Sequence, residues 1–171
     1  MSKKLSVVLT LLIVVSFLAA CGGKAKEPIK IGVQLPITGE YAYEGEGMKK
    51  CVELVAEQVN AAGGVLGRKI ELVIEDDMGK PDESSKAAQK LVSEGVKFVI
   101  GSYSSTCTEP ASAIYNDNGV LQITPSSTAT RLSQKGYKRF FRVCFLDDRQ
   151  GLFAAKFMIE KLGAKKIAIL H

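Results

Sequence analysis

Val99-Ile100-Gly101-Ser102-Tyr103-Ser104-Ser105-Thr106-Cys107-Thr108-Glu109 changes character twice in a few residues. A short apolar run, residues 97–100, reads as a buried strand. Hydroxyl side chains follow, and Thr106-x-x-Glu109 has the form of a capping box, so the spacing predicts a helix over 107–117. Asn118-Gly119 is a left-handed stop, and residues 120–124 form the next strand, ended at Pro125. The same alternation runs outward in both directions. Residues 29–35 are a β-rich apolar run closed by Pro36 and Gly39. Over 47–62, Met48, Cys51, Val52, Val55, Val59 and Ala62 keep the three-to-four spacing of one helical face, which places Cys51 as a small buried hydrophobe. Residues 69–75 are strand-like again. Pro81, Asp82 and Glu83 suit a helix first turn, where proline's missing N–H costs nothing and acids favour the dipole. Residues 139–144 read as a fifth strand. Asp147 opens a helix carrying Leu152, Phe153, Phe157, Met158 and Leu162, and 166–170 reads as a last strand.

Strands alternating with helices, with near-continuous apolar strand segments, predict an α/β fold built on a doubly wound parallel sheet covered on both faces. Ligands in such sheets lie beyond the carboxyl ends of the strands. Two loops there are rich in hydroxyls: residues 101–106 and residues 124–128. The first leads into a helix N-terminus, whose free N–H groups and dipole favour an anion. Hydroxyls and backbone carbonyls beside them suit an ammonium, so the pair fits a zwitterion such as an amino acid. The same residues also serve as ordinary caps and turn formers, and composition alone does not separate the two roles.

Other chemistry finds little support. A single His, at position 171, leaves no Ser-His-Asp or Cys-His arrangement inside the fold. Cys21, Cys51, Cys107 and Cys144 lack C-x-x-C spacing, which removes zinc ribbons and thioredoxin-type motifs. Gly45-Glu46-Gly47 lacks the third glycine of a dinucleotide fingerprint, and neither G-x-x-x-x-G-K-S/T nor G-x-S-x-G occurs. Asp76-Asp77 lacks the third carboxylate of a magnesium site and reads as a loop and cap. No metal, cofactor or catalytic residue is expected. With 23 Lys and Arg against 18 Asp and Glu, net charge is +5, too mild for a nucleic-acid partner. Lys3 and Lys4, an apolar stretch over 5–20 and Leu18-Ala19-Ala20-Cys21 read as a secretory leader, residues 1–20, ahead of a tether over 21–28.

Leu18-Ala19-Ala20-Cys21 resembles the lipobox of bacterial lipoproteins, which implies that Cys21 carries the lipid and anchors the protein to the membrane. Ile29-Lys30-Ile31-Gly32-Val33, Pro36-Ile37-Thr38-Gly39, Val59-Asn60-Ala61-Ala62-Gly63-Gly64, Glu75-Asp76-Asp77, Val99-Ile100-Gly101-Ser102, Ile123-Thr124-Pro125-Ser126-Ser127-Thr128 and Phe141-Arg142 together resemble the leucine/isoleucine/valine-binding proteins of branched-chain amino-acid ABC importers. The resemblance implies a type I two-lobed fold. Residues 29–144 would be the first ligand-binding lobe, and residues 145–171 the hinge with the first helix and strand of a truncated second lobe. It further implies that Ser105, Ser126 and Thr128 grip the amino acid's carboxylate and amine. Tyr43 or Glu44 would cover its side chain; strict alignment falls on Glu44, which points toward a more polar ligand. The disulfide of some members is precluded, because Gly79 and Ser104 stand at its positions.

An ABC permease is the partner so implied. A sensory or regulatory binding module on the same fold is an alternative, and a lipid-anchored hydrolase using Ser104 or Ser105 is another, requiring a base these residues do not include. The helix from Asp147 is expected to expose its apolar side.

Overall fold

The computed structural model describes residues 26–169. The leader, Cys21 and the first part of the tether lie outside the described residues. β1 (Ile29–Leu35) leads to α1 (Ala42–Ala61), β2 (Ile70–Asp76), α2 (Pro81–Ser93), β3 (Phe98–Gly101), α3 (Ser105–Asp117), β4 (Leu121–Thr124), a 3₁₀ turn (Thr130–Lys135), β5 (Phe140–Arg142) and α4 (Asp147–Lys156), whose end loosens into one π-helical turn (Phe157–Lys161). All strand pairs are parallel and the order is β2-β1-β3-β4-β5.

Helices α2 and α3 cover one face. Ala88, Leu91, Val96, Val99, Ala111, Tyr115 and Val120 form a single core cluster there. Each fully buried Leu or Val in it contributes roughly 1.5–3 kcal/mol relative to exposure. Pro81 and the two acids after it stand in the first turn of α2, as the sequence predicts. The cap of α3 differs from expectation. Ser104, held in extended backbone, accepts the Cys107 N–H at 3.3 Å, so the helix starts at Ser105 and Thr106 lies inside its first turn. Glu109 turns outward to Arg131 and Lys135 instead of back to a cap.

The opposite face is covered only in part, which corrects the expectation of two covered faces. α1 packs over β1 and β2 through a stripe of Gly45, Val52, Ala56 and Val59. Beyond it Phe98, Ile123 and Phe141 remain 36–50% exposed. That gap explains Cys51, which is exposed and not buried: it borders the open groove between α1 and the strands, with Ile100 and Pro125. The strand expected over 166–170 does not form in its described part, because among the described residues no neighbouring strand supplies hydrogen bonds; Ile169 is 86% exposed. α4 buries no residue, and Leu152, Phe153 and Phe157 face solvent as expected.

Close approach of β1 and β3 depends on Gly101. Its φ is +137°, and a Cβ there would sit 1.9 Å from the Gln34 carbonyl oxygen. Gly101→Ala should therefore cost at least about 3 kcal/mol in urea unfolding, from backbone strain and overlap together. Gly119→Ala, also at positive φ but with open space around it, should cost only about 1 kcal/mol. Equal losses would contradict the role of Gly101 packing.

Candidate functional site

β1 stands between β2, reached over one face, and β3, which sends its own loop toward the other. The loops after β1 and β3 therefore diverge, and a crevice opens between them at the carboxyl edge of the sheet. Tyr41, ending the first loop, and Tyr103, in the second, face each other across it with ring centroids 5.3 Å apart. The first loop is clamped by Asp76: its carboxylate accepts the N–H groups of Ile37 at 2.8 Å and Thr38 at 3.2 Å, and the Thr38 hydroxyl. Asp76 and Asp77 also accept the N–H groups of Met78 and Gly79, the loop-and-cap role read from the sequence.

The two hydroxyl loops meet. Ser105 Oγ accepts the Ala129 N–H at 3.1 Å, which leaves its own O–H free to donate. Ser126 Oγ donates to the Tyr103 carbonyl at 2.8 Å, which leaves its lone pairs free to accept. Thr128 gives its carbonyl to the Asp147 N–H at 3.1 Å, while among the described residues its hydroxyl and N–H take part in no hydrogen bond. At the start of α3, the Cys107 N–H goes to Ser104 Oγ and the Thr108 N–H to the Ser104 carbonyl. The N–H groups of Ser105 and Thr106 have no intrahelical acceptor. Donors suited to a carboxylate and acceptors suited to an ammonium thus lie along one edge.

Beneath them runs a buried polar network. Gln34, wholly buried in β1, donates to Ser84 Oγ at 2.6 Å and Ser102 Oγ at 3.1 Å, and accepts from the Tyr115 hydroxyl. Ser102 donates to the Asp77 carboxylate. The Ser102 carbonyl then accepts Thr124 Oγ1 at 2.8 Å and Ser127 Oγ at 3.3 Å, so one peptide ties the loop after β4 to the loop after β3. Burial, with the charges of Asp77 and Glu75, pushes the Tyr115 phenol well above its ordinary range, which keeps it a donor.

Tyr43 and Glu44 stand on α1, which begins five residues earlier than the spacing predicts. Both lie in the first turn of α1, Tyr43 90% exposed. They border an open groove of about 870 Å³ along α1, with Leu35, Val52, Ile100 and Pro125. Among the described residues neither hydrogen-bonds to the hydroxyl loops. Among the described residues, the Ser104 and Ser105 hydroxyls hydrogen-bond to Thr106, Cys107 and Ala129. Tyr41, Tyr103, Gln34, Asp77 and Arg142 escaped notice as site residues. A lone Gln within the apolar β1 and a lone Arg ending β5 were the available signals. Among the described residues, no group of His, Cys, Asp and Glu is placed to hold a metal, and no helix is long and apolar enough to cross a membrane.

A parallel sheet with a crevice at its switch point is the arrangement in which open α/β sheets take up small molecules. A family model for periplasmic binding proteins matches residues 28–171. The chain belongs to that family, and its five-stranded lobe is of the type I kind. It is 45% identical over 147 residues to the leucine-, isoleucine-, valine-, threonine- and alanine-binding protein of Pseudomonas aeruginosa, covering 86% of this chain and 39% of that one. Against the Leu/Ile/Val-binding protein homolog 1 of Brucella abortus the identity is 38%, with coverage of 89% and 41%. The isoleucine complex of the branched-chain amino-acid transporter substrate-binding protein LivJ from Streptococcus pneumoniae superposes with a TM-score of 0.77 at 34% identity, covering 81% of this chain and 40% of LivJ. The chain therefore spans about two-fifths of the length of the relatives it matches.

Burial alone would raise the Asp76 carboxyl, but the Thr38 hydroxyl and the N–H groups of Met78, Thr38 and Ile37 outweigh it and hold the group below its usual 3.8. A depressed folded value adds stability that is complete above the unfolded value and lost as pH falls through the folded one. Asp76→Asn should thus be less stable than the parent at neutral pH, and lose less stability between about pH 5 and about pH 2. Parallel acid limbs in urea titrations would contradict the clamp.

Proposed function

We propose that this chain is the first lobe of an extracytoplasmic substrate-binding component of an ABC importer, capturing a branched-chain or related amino acid without chemical change. Ser105, with the N–H groups opening α3 and that of Thr128, receives the carboxylate. Ser126 Oγ and Thr128 Oγ1 receive the ammonium. Tyr43 and Glu44 border the side-chain end, and the aromatic pair Tyr41 and Tyr103 walls the crevice between the first and third strand loops. Cys21 tethers the protein by its lipid, and a permease takes the ligand once a second lobe has closed over it.

The observation that supports this most is the joining of the two hydroxyl loops at 3.1 Å beside an open helix N-terminus. The relatives' ligands are amino acids whose shared part, a carboxylate beside an ammonium, matches the free donors and acceptors found there. The exposed apolar side of α4 is where such a second lobe would continue.

Calorimetry with L-leucine tests the reading, using the 171-residue chain and a two-lobed version whose second lobe comes from the Pseudomonas aeruginosa relative. The two-lobed protein should bind far more tightly, and Ser105→Ala in it should weaken binding about tenfold or more, the loss of one hydrogen bond to a charged group. Equal affinity of the two proteins would refute the half-site picture; an unchanged Ser105→Ala variant would refute the carboxylate seat.

A further inference from the structure

We propose that Arg142 is a positioning residue that turns the second hydroxyl loop toward the ligand carboxylate, an inference that rests on the function proposed above. Arg142 ends β5, where it stands in register beside Thr124 of β4. One nitrogen, Nη1, donates to the Ser127 carbonyl at 2.8 Å and the Ala129 carbonyl at 3.1 Å. Nη2 donates to the Ala129 carbonyl at 3.1 Å and to Ser133 Oγ at 2.7 Å. The guanidinium is held over the Phe140 ring, 5.6 Å from its centroid. Cys144 Sγ adds a second donor to the Ser127 carbonyl at 3.3 Å.

These contacts decide which way the loop's N–H groups face. In a planar trans peptide the N–H lies opposite the C=O. With the Ser127 carbonyl drawn onto the guanidinium, the Thr128 N–H is turned to the side away from Arg142. The neighbouring N–H groups are already occupied: those of Ser126 and Ser127 go to Thr124 Oγ1, and that of Ala129 goes to Ser105 Oγ. Thr128 thus contributes the one N–H of residues 126–129 with no acceptor among the described residues. A cation hydrogen-bonded to the carbonyl of the same peptide polarises it and strengthens that N–H as a donor. Lysine cannot reproduce this, because a single ammonium does not span two carbonyls and a hydroxyl in one plane.

The test uses the two-lobed protein with Arg142→Met and Arg142→Lys. Two readouts are taken: L-leucine affinity, and amide hydrogen exchange over residues 126–130 without ligand. Arg142→Met should weaken leucine binding about thirtyfold and speed loop exchange, the effect of losing two net hydrogen bonds. Arg142→Lys keeps the charge and should recover only part of that loss, at a melting temperature matching that of the Met variant. Affinities equal to the parent's in both variants, or losses that follow melting temperature alone, would overturn the proposal. Should the parent itself take no leucine, the transport reading falls. Exchange over residues 126–130 then still decides, and an Arg142→Met loop as protected as the parent's overturns the positioning role.

Discussion

The carbonyl of Ser102 is the point on which the site is built. Unpaired polar groups inside a protein cost free energy, so a buried Gln, Asp and Ser persist only when each finds partners. Here Gln34, Asp77, Ser84 and Ser102 satisfy one another, with Tyr115 donating from α3. The Ser102 peptide then reaches across to Thr124 and Ser127. The loop after β3 and the loop after β4 therefore cannot move independently without leaving buried groups unpaired. Two segments that sequence separates behave as one platform.

That platform explains why ordinary capping residues also suit a ligand. Ser104 satisfies the cap of α3, which frees Ser105 to accept from Ala129 and still present a donor. Thr124 takes the N–H groups of Ser126 and Ser127, which frees Thr128. The structure assigns capping to Ser104 and turn bonding to Thr124, and leaves donors and acceptors of Ser105, Ser126 and Thr128 unused among the described residues. In the function proposed here, a small charged metabolite would meet preset hydrogen-bonding groups, so little ordering would be required when it arrives.

Much of the architecture was legible in the sequence because periodicity reports burial. Strands and helices through β5 fall within three residues of expectation except the start of α1, which lies five residues early, and Pro81 and Gly119 stand at the ends assigned to them. Cys51 departs from expectation for a physical reason: helical spacing identifies an apolar stripe but not what covers it, and no described residue buries that flank of α1. The strand expected after α4 failed similarly, since a strand needs a neighbour that apolar composition does not reveal. The capping-box pattern points to Thr106 as the cap, yet Ser104 holds the extended backbone a cap requires. The hydroxyl loops are visible from the sequence, whereas Gln34 and Arg142 act through partners 9 to 81 residues away, beyond the reach of strand or helix periodicity.

The most direct test of the shared platform is an ¹⁵N–¹H titration of the two-lobed protein with L-leucine. The amides of Ser105, Thr106 and Thr128 should shift together, along one saturation curve. Shifts confined to one of the two loops, or separate midpoints for Ser105 and Thr128, would contradict a single seat.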